Sequence, residues 1–201
     1  MTRAPRRVNV IAVYAIPRPL VSTADKSTAI IMGMTTPNAF TIRPATAADV
    51  DAIQALVRDL AIYEKLEHLM VSTPDDFTRE LFEANARIEC IMAIENEKAV
   101  GFALFFHNFS TFLGRKGLYL EDLFVKPECR GKGYGKALLV RLAQIAVERN
   151  CGRFEWSVLD WNTPSIDFYK AMGATVMTEW NIVRAAGDAL TTMAKLEPSA
   201  P

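Results

Sequence analysis

The sequence predicts an α/β domain built on a mixed sheet, and three observations carry that prediction. Apolar runs short enough for strands alternate with stretches of helical periodicity, two of the helices precede the main run of strands, and a glycine-rich turn joins a strand to a long helix. The chain has 201 residues, half of them hydrophobic, which suits one globular core over residues 39–196. Residues 1–38 read as a disordered extension or the product of a start site upstream of Met32 or Met34, and 197–201 as a tail.

Each element has its own signal. Phe40 to Arg43 is a short strand ended by Pro44, and Thr46 with Asp49 three residues on has the form of a helix cap. Val50, Ile53, Leu56, Val57, Leu60 and Ile62 then recur at near-helical spacing up to Tyr63. Thr73, Pro74 and Asp76 open a second helix that runs through Phe82. Ile88 to Ile94 and Ala99 to Phe106 flank the polar turn Glu95 to Lys98 and read as an antiparallel hairpin, with Leu118 to Val125 as the next strand. A helix from Tyr134 to Asn150, a strand from Phe154 to Leu159 and a helix from Pro164 to Met172 closed by Gly173 follow. Ala174 to Val183 and Leu190 to Ala194 form the expected final hairpin, so that the order is βααβββαβαββ.

Composition narrows the function classes. The 23 basic residues balance 23 acidic ones without a Lys/Arg run, so the electrostatic footprint of a nucleic-acid or anionic-membrane binder is missing. The apolar run from Ile91 to Phe106 is interrupted by charges and is too short to span a bilayer. Cys90, Cys129 and Cys151 are odd in number and far apart, with neither disulfide nor zinc spacing, which fits a cytoplasmic protein and predicts no metal. His68 and His107 fall in no catalytic pattern.

The loop Arg130, Gly131, Lys132, Gly133, Tyr134, Gly135 and Lys136 lies where a strand passes into a helix. Glycines there let a ligand approach the backbone, and the free N–H groups of a helix start, with its dipole and nearby cations, suit a diphosphate. A nucleotide P-loop requires Ser or Thr after the lysine, whereas Lys136 precedes Ala137. A dinucleotide fingerprint belongs at a domain's first strand, and this loop follows the fourth.

Arg130-x-x-Gly133-x-Gly135 after an apolar strand resembles the acetyl-CoA diphosphate loop of the GNAT superfamily of N-acetyltransferases. The strings LYLEDLFVKPECRGKGYG and VLDWNTPSIDFYKAMGA, with RPATAADV near the domain start, more narrowly resemble the diamine (spermidine/spermine) and thialysine N-acetyltransferases. Trp161 in LDWN is similar to the thialysine branch, and Phe112 stands where the diamine enzymes have a tryptophan. The resemblance implies a sheet splayed at the acetyl-CoA site after the strand ending at Val125. Main-chain groups of Leu123, Phe124 and Val125 would line it, with Asn162 and Ser165 on its other side. It also implies direct transfer to a small cationic amine, and a homodimer.

The chemistry reads from the acids. Glu121 and Asp122 lie in a strand apolar on both faces, where an unpaired carboxylate is costly, and both reach one side only if the strand bulges near Glu121 to Phe124. The alternatives are a buried ion pair or a solvent-exposed strand end. An alkylammonium, with a pKa of about 10.4, must lose a proton before attacking a thioester. Glu121 is the candidate base, directly or through water, with Asp122 orienting the cation, although a carboxylate that only binds ammonium would favour the unreactive form. By resemblance Tyr169 donates a proton to the departing thiolate, while Tyr63, Glu64 and Glu179 belong to an acidic substrate region. Two rival readings are a protein lysine or N-terminal acetyltransferase and a CoA-binding sensor without activity.

Overall fold

The computed structural model describes residues 39–196, so the expected extension and tail at 1–38 and 197–201 lie outside the described residues. Five strands form one sheet in sequential order: β1 (Phe40–Pro44), β2 (Ile88–Glu95), β3 (Lys98–Ser110), β4 (Arg115–Val125) and β5 (Arg153–Trp156). The pairs from β1 through β4 are antiparallel and β5 runs parallel to β4, which makes the sheet mixed. The parallel step needs a crossover, supplied by α3 (Tyr134–Glu148).

Alternation along the strands divides the core into two layers. Met92, Phe102, Leu104 and Phe124 pack on one face against Ile53, Leu56 and Leu60 of α1 (Val50–Tyr63) and Leu81 of α2 (Pro74–Phe82). Ile91, Ala103, Phe105, Leu118, Leu120 and Leu123 pack on the other against Leu138, Leu142 and Ile145 of α3. Each large apolar side chain buried this way contributes about 1.5–3 kcal/mol. Both capping boxes form: Thr46 N–H donates to Asp49 Oδ2 at 2.7 Å and closes a 3-10 turn, Ala47–Asp49, that leads into α1, and Thr73 N–H donates to Asp76 Oδ2 at 2.9 Å at the start of α2.

The hairpin of β3 and β4 is longer than expected, because Asn108, Phe109 and Ser110 pair with Gly117, Lys116 and Arg115. That extension carries no apolar alternation, so periodicity does not reveal it. By contrast β5 is shorter than expected, and its pairing ends at Leu120 with Trp156.

The expected final hairpin, Ala174 to Val183 with Leu190 to Ala194, is not formed. Residues 174–187 are irregular, and the second half winds into α5 (Asp188–Met193) after α4 (Thr163–Ala171). The four-residue β5 offers a short edge to pair with, and Met177 and the adjacent Ile182 and Val183 break strict alternation. Gly187 followed by Asp188 favours a helix start, with the acid at the positive end of the dipole.

Candidate active site at the splayed strands

The glycine loop, Arg130 to Lys136, has the backbone its sequence implies. A 3-10 turn, Pro127–Cys129, leads into the loop, where Gly131 (φ 78°) and Gly133 (φ 84°) take left-handed conformations before α3 begins. A side chain would be strained there, and apart from the adjoining residues no protein atom lies within 4 Å of where a Cβ would stand at either position. The glycine side of the loop is therefore bare backbone facing open space. The first intrahelical bond of α3 runs from Ala137 N–H to Gly133 C=O, which leaves the N–H groups of Tyr134, Gly135 and Lys136 outside the helical ladder.

The loop's cations are differently disposed. Lys136 is exposed. Lys132 Nζ donates to both oxygens of Glu95, at 2.8 and 3.0 Å. Arg130 Nε donates to Val125 C=O at 3.0 Å, and its guanidinium lies over the rings of Tyr63 (4.8 Å) and Phe124 (5.5 Å). This stacking links the end of α1 to the loop.

In β4 the bulge falls where the two acids require it. Leu104 pairs with Asp122 and Phe105 with Leu120, so Glu121 is the extra residue between them. Leu120 and Leu123 both enter the α3 side of the core while Phe124 enters the α1 side, and the inserted residue lets Glu121 and Asp122 share surroundings. Burial, then the charge of Glu121, raises the Asp122 carboxyl to about 7. Burial, then the charge of Asp122, raises Glu64 to about 8. Glu64 follows the last residue of α1, and its Oε1 is buried without a hydrogen-bond partner. Glu64, Glu121 and Asp122 are thus brought together, while Tyr63, next to Glu64 in the chain, lies against Arg130. Glu179 is exposed in the irregular segment and contributes to neither shift.

Beyond Leu120, β4 continues to Val125 beside β3 alone, because β5 has already diverged. The splay therefore opens five residues earlier than the end of β4, alongside Glu121 to Val125. Leu123, Phe124 and Val125 have buried side chains, so their main-chain groups are what they can offer a ligand in the gap. On the β5 side, α4 packs against Trp156 through Tyr169. Asn162 caps this helix, its Oδ1 accepting from Ser165 N–H at 3.3 Å, and the Ser165 hydroxyl bonds the Tyr169 phenol. Tyr169 is 2% exposed and packs edge-on against Trp156 with ring centroids 5.1 Å apart. Burial pushes its pKa well above the ordinary phenol value, so it stays protonated at neutral pH and suits a donor.

Sequence reasoning missed Glu95 and Phe40. Glu95 reads as the first residue of a polar turn, yet it is buried, binds Lys132, and accepts a short hydrogen bond from Tyr134 Oη, whose ring stacks on Phe40 at 3.9 Å. An acid ending the apolar run from Cys90 to Ile94 was the available signal. No cluster of three or more His, Cys, Asp or Glu suited to a metal occurs among the described residues, nor is any of their helices long and apolar enough to cross a membrane.

The profile of the Acetyltransferase (GNAT) family matches residues 54–174. The chain is 34% identical to L-ornithine N5-acetyltransferase of Arabidopsis thaliana, over 77% of this chain and 88% of that protein. It is also 34% identical to thialysine N-epsilon-acetyltransferase of Sus scrofa, over 76% of this chain and 96% of that protein. Among solved structures, an integron cassette protein from the mobile metagenome of V. cholerae superposes with a TM-score of 0.66 at 28% identity, covering 78% of this chain and 98% of that one. With that profile over more than half of its length and relatives at 34% identity over three quarters of it, the chain belongs to the GNAT family of acetyltransferases.

Proposed function

We propose that this acetyltransferase moves an acetyl group directly from acetyl-CoA to a primary amine of a small cationic substrate, namely a diamine, a polyamine or a thialysine-like amino acid. The observation that carries the reading is the group of acids at the end of β4. Glu64 and Asp122 are raised by burial and by neighbouring negative charge, the condition of carboxyls that gain most from a cation. The relatives whose names specify ornithine and thialysine support an amine with further charged groups.

In this reading the N–H groups at the start of α3 hold the diphosphate, and the main chain of Leu123 to Val125 guides the rest of the donor along the gap. Acetyl-CoA supplies the activated acyl group. Glu64 takes the distal ammonium. Glu121 and Asp122 act as a coupled pair that accepts the proton of the attacking amine, directly or through water, because a carboxyl at about 7 is matched to neutral pH. Asn162 and Ser165 hold Tyr169, whose phenol donates to the departing thiolate. Homodimer formation and a cytoplasmic setting belong to the same reading, and sedimentation tests the first.

Incubating the protein with acetyl-CoA and a panel of diamines, polyamines, thialysine, ornithine and lysine peptides, while following free thiol, tests the proposal. Thiol release that depends on small multicationic amines is expected. Preference for peptides would favour a protein acetyltransferase, and no amine-dependent release would favour a sensor.

A further inference from the structure

Glu95 has no part in the chemistry above, yet it is the most heavily engaged carboxylate near the loop. Lys132 Nζ reaches both of its oxygens at 2.8 and 3.0 Å, Tyr134 Oη donates to one, and Cys129 Sγ lies 3.9 Å from the other. These donors come from the turn before the diphosphate loop, from its middle and from the start of α3. The acceptor is fixed to the sheet: Glu95 pairs with Phe40 of β1 and with Lys98 across a tight turn, where Asn96 N–H donates to Ala39 C=O at 3.2 Å. Phe40 completes the arrangement by stacking on Tyr134 with ring planes 2° apart.

Gly131, Gly133 and Gly135 make the loop costly to order, since glycine loses more backbone freedom than any other residue. Lys132 and Tyr134 flank Gly133, and both turn onto the same carboxylate. Their side chains are thereby drawn to one side, and the glycine side, open to at least 4 Å around the positions a Cβ would take at 131 and 133, is left to a ligand. We propose that Glu95 is a positioning residue, a bracket that pre-orders the loop so that its N–H groups face the diphosphate. This inference rests on the loop's being the CoA site. Burying a negative charge next to an anion site runs against simple electrostatics, because Glu95 offsets the charge of Lys132. Shape and charge therefore predict opposite results for its removal. Pre-ordering makes binding weaker in the variant, through the ordering cost that returns, whereas charge makes it tighter.

The test is calorimetric titration of the full chain with CoA and with pantetheine, which lacks the diphosphate, for wild type, Glu95→Gln, Glu95→Ala and Tyr134→Phe. Glu95→Gln and Glu95→Ala are expected to weaken CoA by roughly tenfold or more, as for loss of hydrogen bonds to a charged group, and Tyr134→Phe by less. Pantetheine affinity should not change, and in turnover the loss should fall on KM for acetyl-CoA rather than on kcat. Unchanged or tighter CoA binding by the Glu95 variants overturns the inference and leaves the assigned function standing. A wild type that binds CoA no better than pantetheine overturns the loop assignment, and this inference with it. Should Glu95→Ala fail to fold, Glu95→Gln decides, since it is isosteric and keeps an acceptor for Tyr134.

Discussion

Two groups of carboxylates in this domain meet opposite electrostatic surroundings. Glu95, at the end of β2, carries its cation with it: the hydrogen bond from Lys132, then that from Tyr134, holds its pKa below the usual range. Glu64 and Asp122, between the end of α1 and the bulge of β4, have burial and each other's kind of charge, and their pKa values rise to about 8 and about 7. An acid whose countercharge is built in serves the shape of the fold. Acids gathered where desolvation and like charge dominate lack that countercharge, and in the proposed function the substrate supplies it.

The contrast is most sharply broken at the bulge. Asp122→Asn together with Glu121→Gln should lower kcat/KM for the amine by about 100-fold or more, the range of a lost general base. The acid limb of the wild-type pH profile, with a midpoint at about 7, should flatten in Asp122→Asn. An unaltered profile would remove the proton-accepting role. Next in size, Tyr169→Phe should reduce kcat by roughly 10-fold or more with little change in acetyl-CoA affinity, read from steady-state kinetics beside a binding titration. On the loop side, Gly133→Ala forces an alanine to the left-handed φ of 84°, and should cost about 1 kcal/mol of stability along with CoA affinity.

The smallest effect is a pH dependence of stability with opposite signs in the two groups. Between about 4.3, the ordinary Glu value, and about 8, the folded chain keeps a proton on Glu64 that the unfolded chain has lost. Stability from this group therefore falls as pH rises through that window and levels off above it. Glu64→Gln should raise Tm relative to wild type at pH 8.5 and leave it unchanged at pH 4, as read by thermal melts. For Glu95 the shift is downward, so its contribution is present above the ordinary carboxyl range and is lost as pH falls through its lowered pKa.

Much of this was legible in the residues. The layered core followed from period: Ile53, Leu56 and Leu60 face the sheet, as their spacing implies. The bulge could be anticipated because two adjacent acids inside an apolar strand cannot share a face in regular β geometry, and Glu121 is indeed the inserted residue of the ladder. Other features depended on partners distant in sequence. Glu95 and Lys132 are 37 residues apart, and nothing local to the polar turn shows that the loop folds over it. Lys132 and Arg130 read as phosphate cations, but tertiary contacts turn them toward Glu95, Val125 and Tyr63. The C-terminal hairpin failed for a related reason: strand propensity needs an edge to pair with, and β5 ends at Trp156.

Whether the loop aims a thioester at acids that take up a cation is read by comparing a diamine with the monoamine of equal chain length in the thiol-release assay. kcat/KM for the diamine should be higher by about tenfold or more, the worth of one charge-assisted contact, and most of that preference should be lost in Glu64→Gln. Equal use of the two amines by the wild type would contradict it.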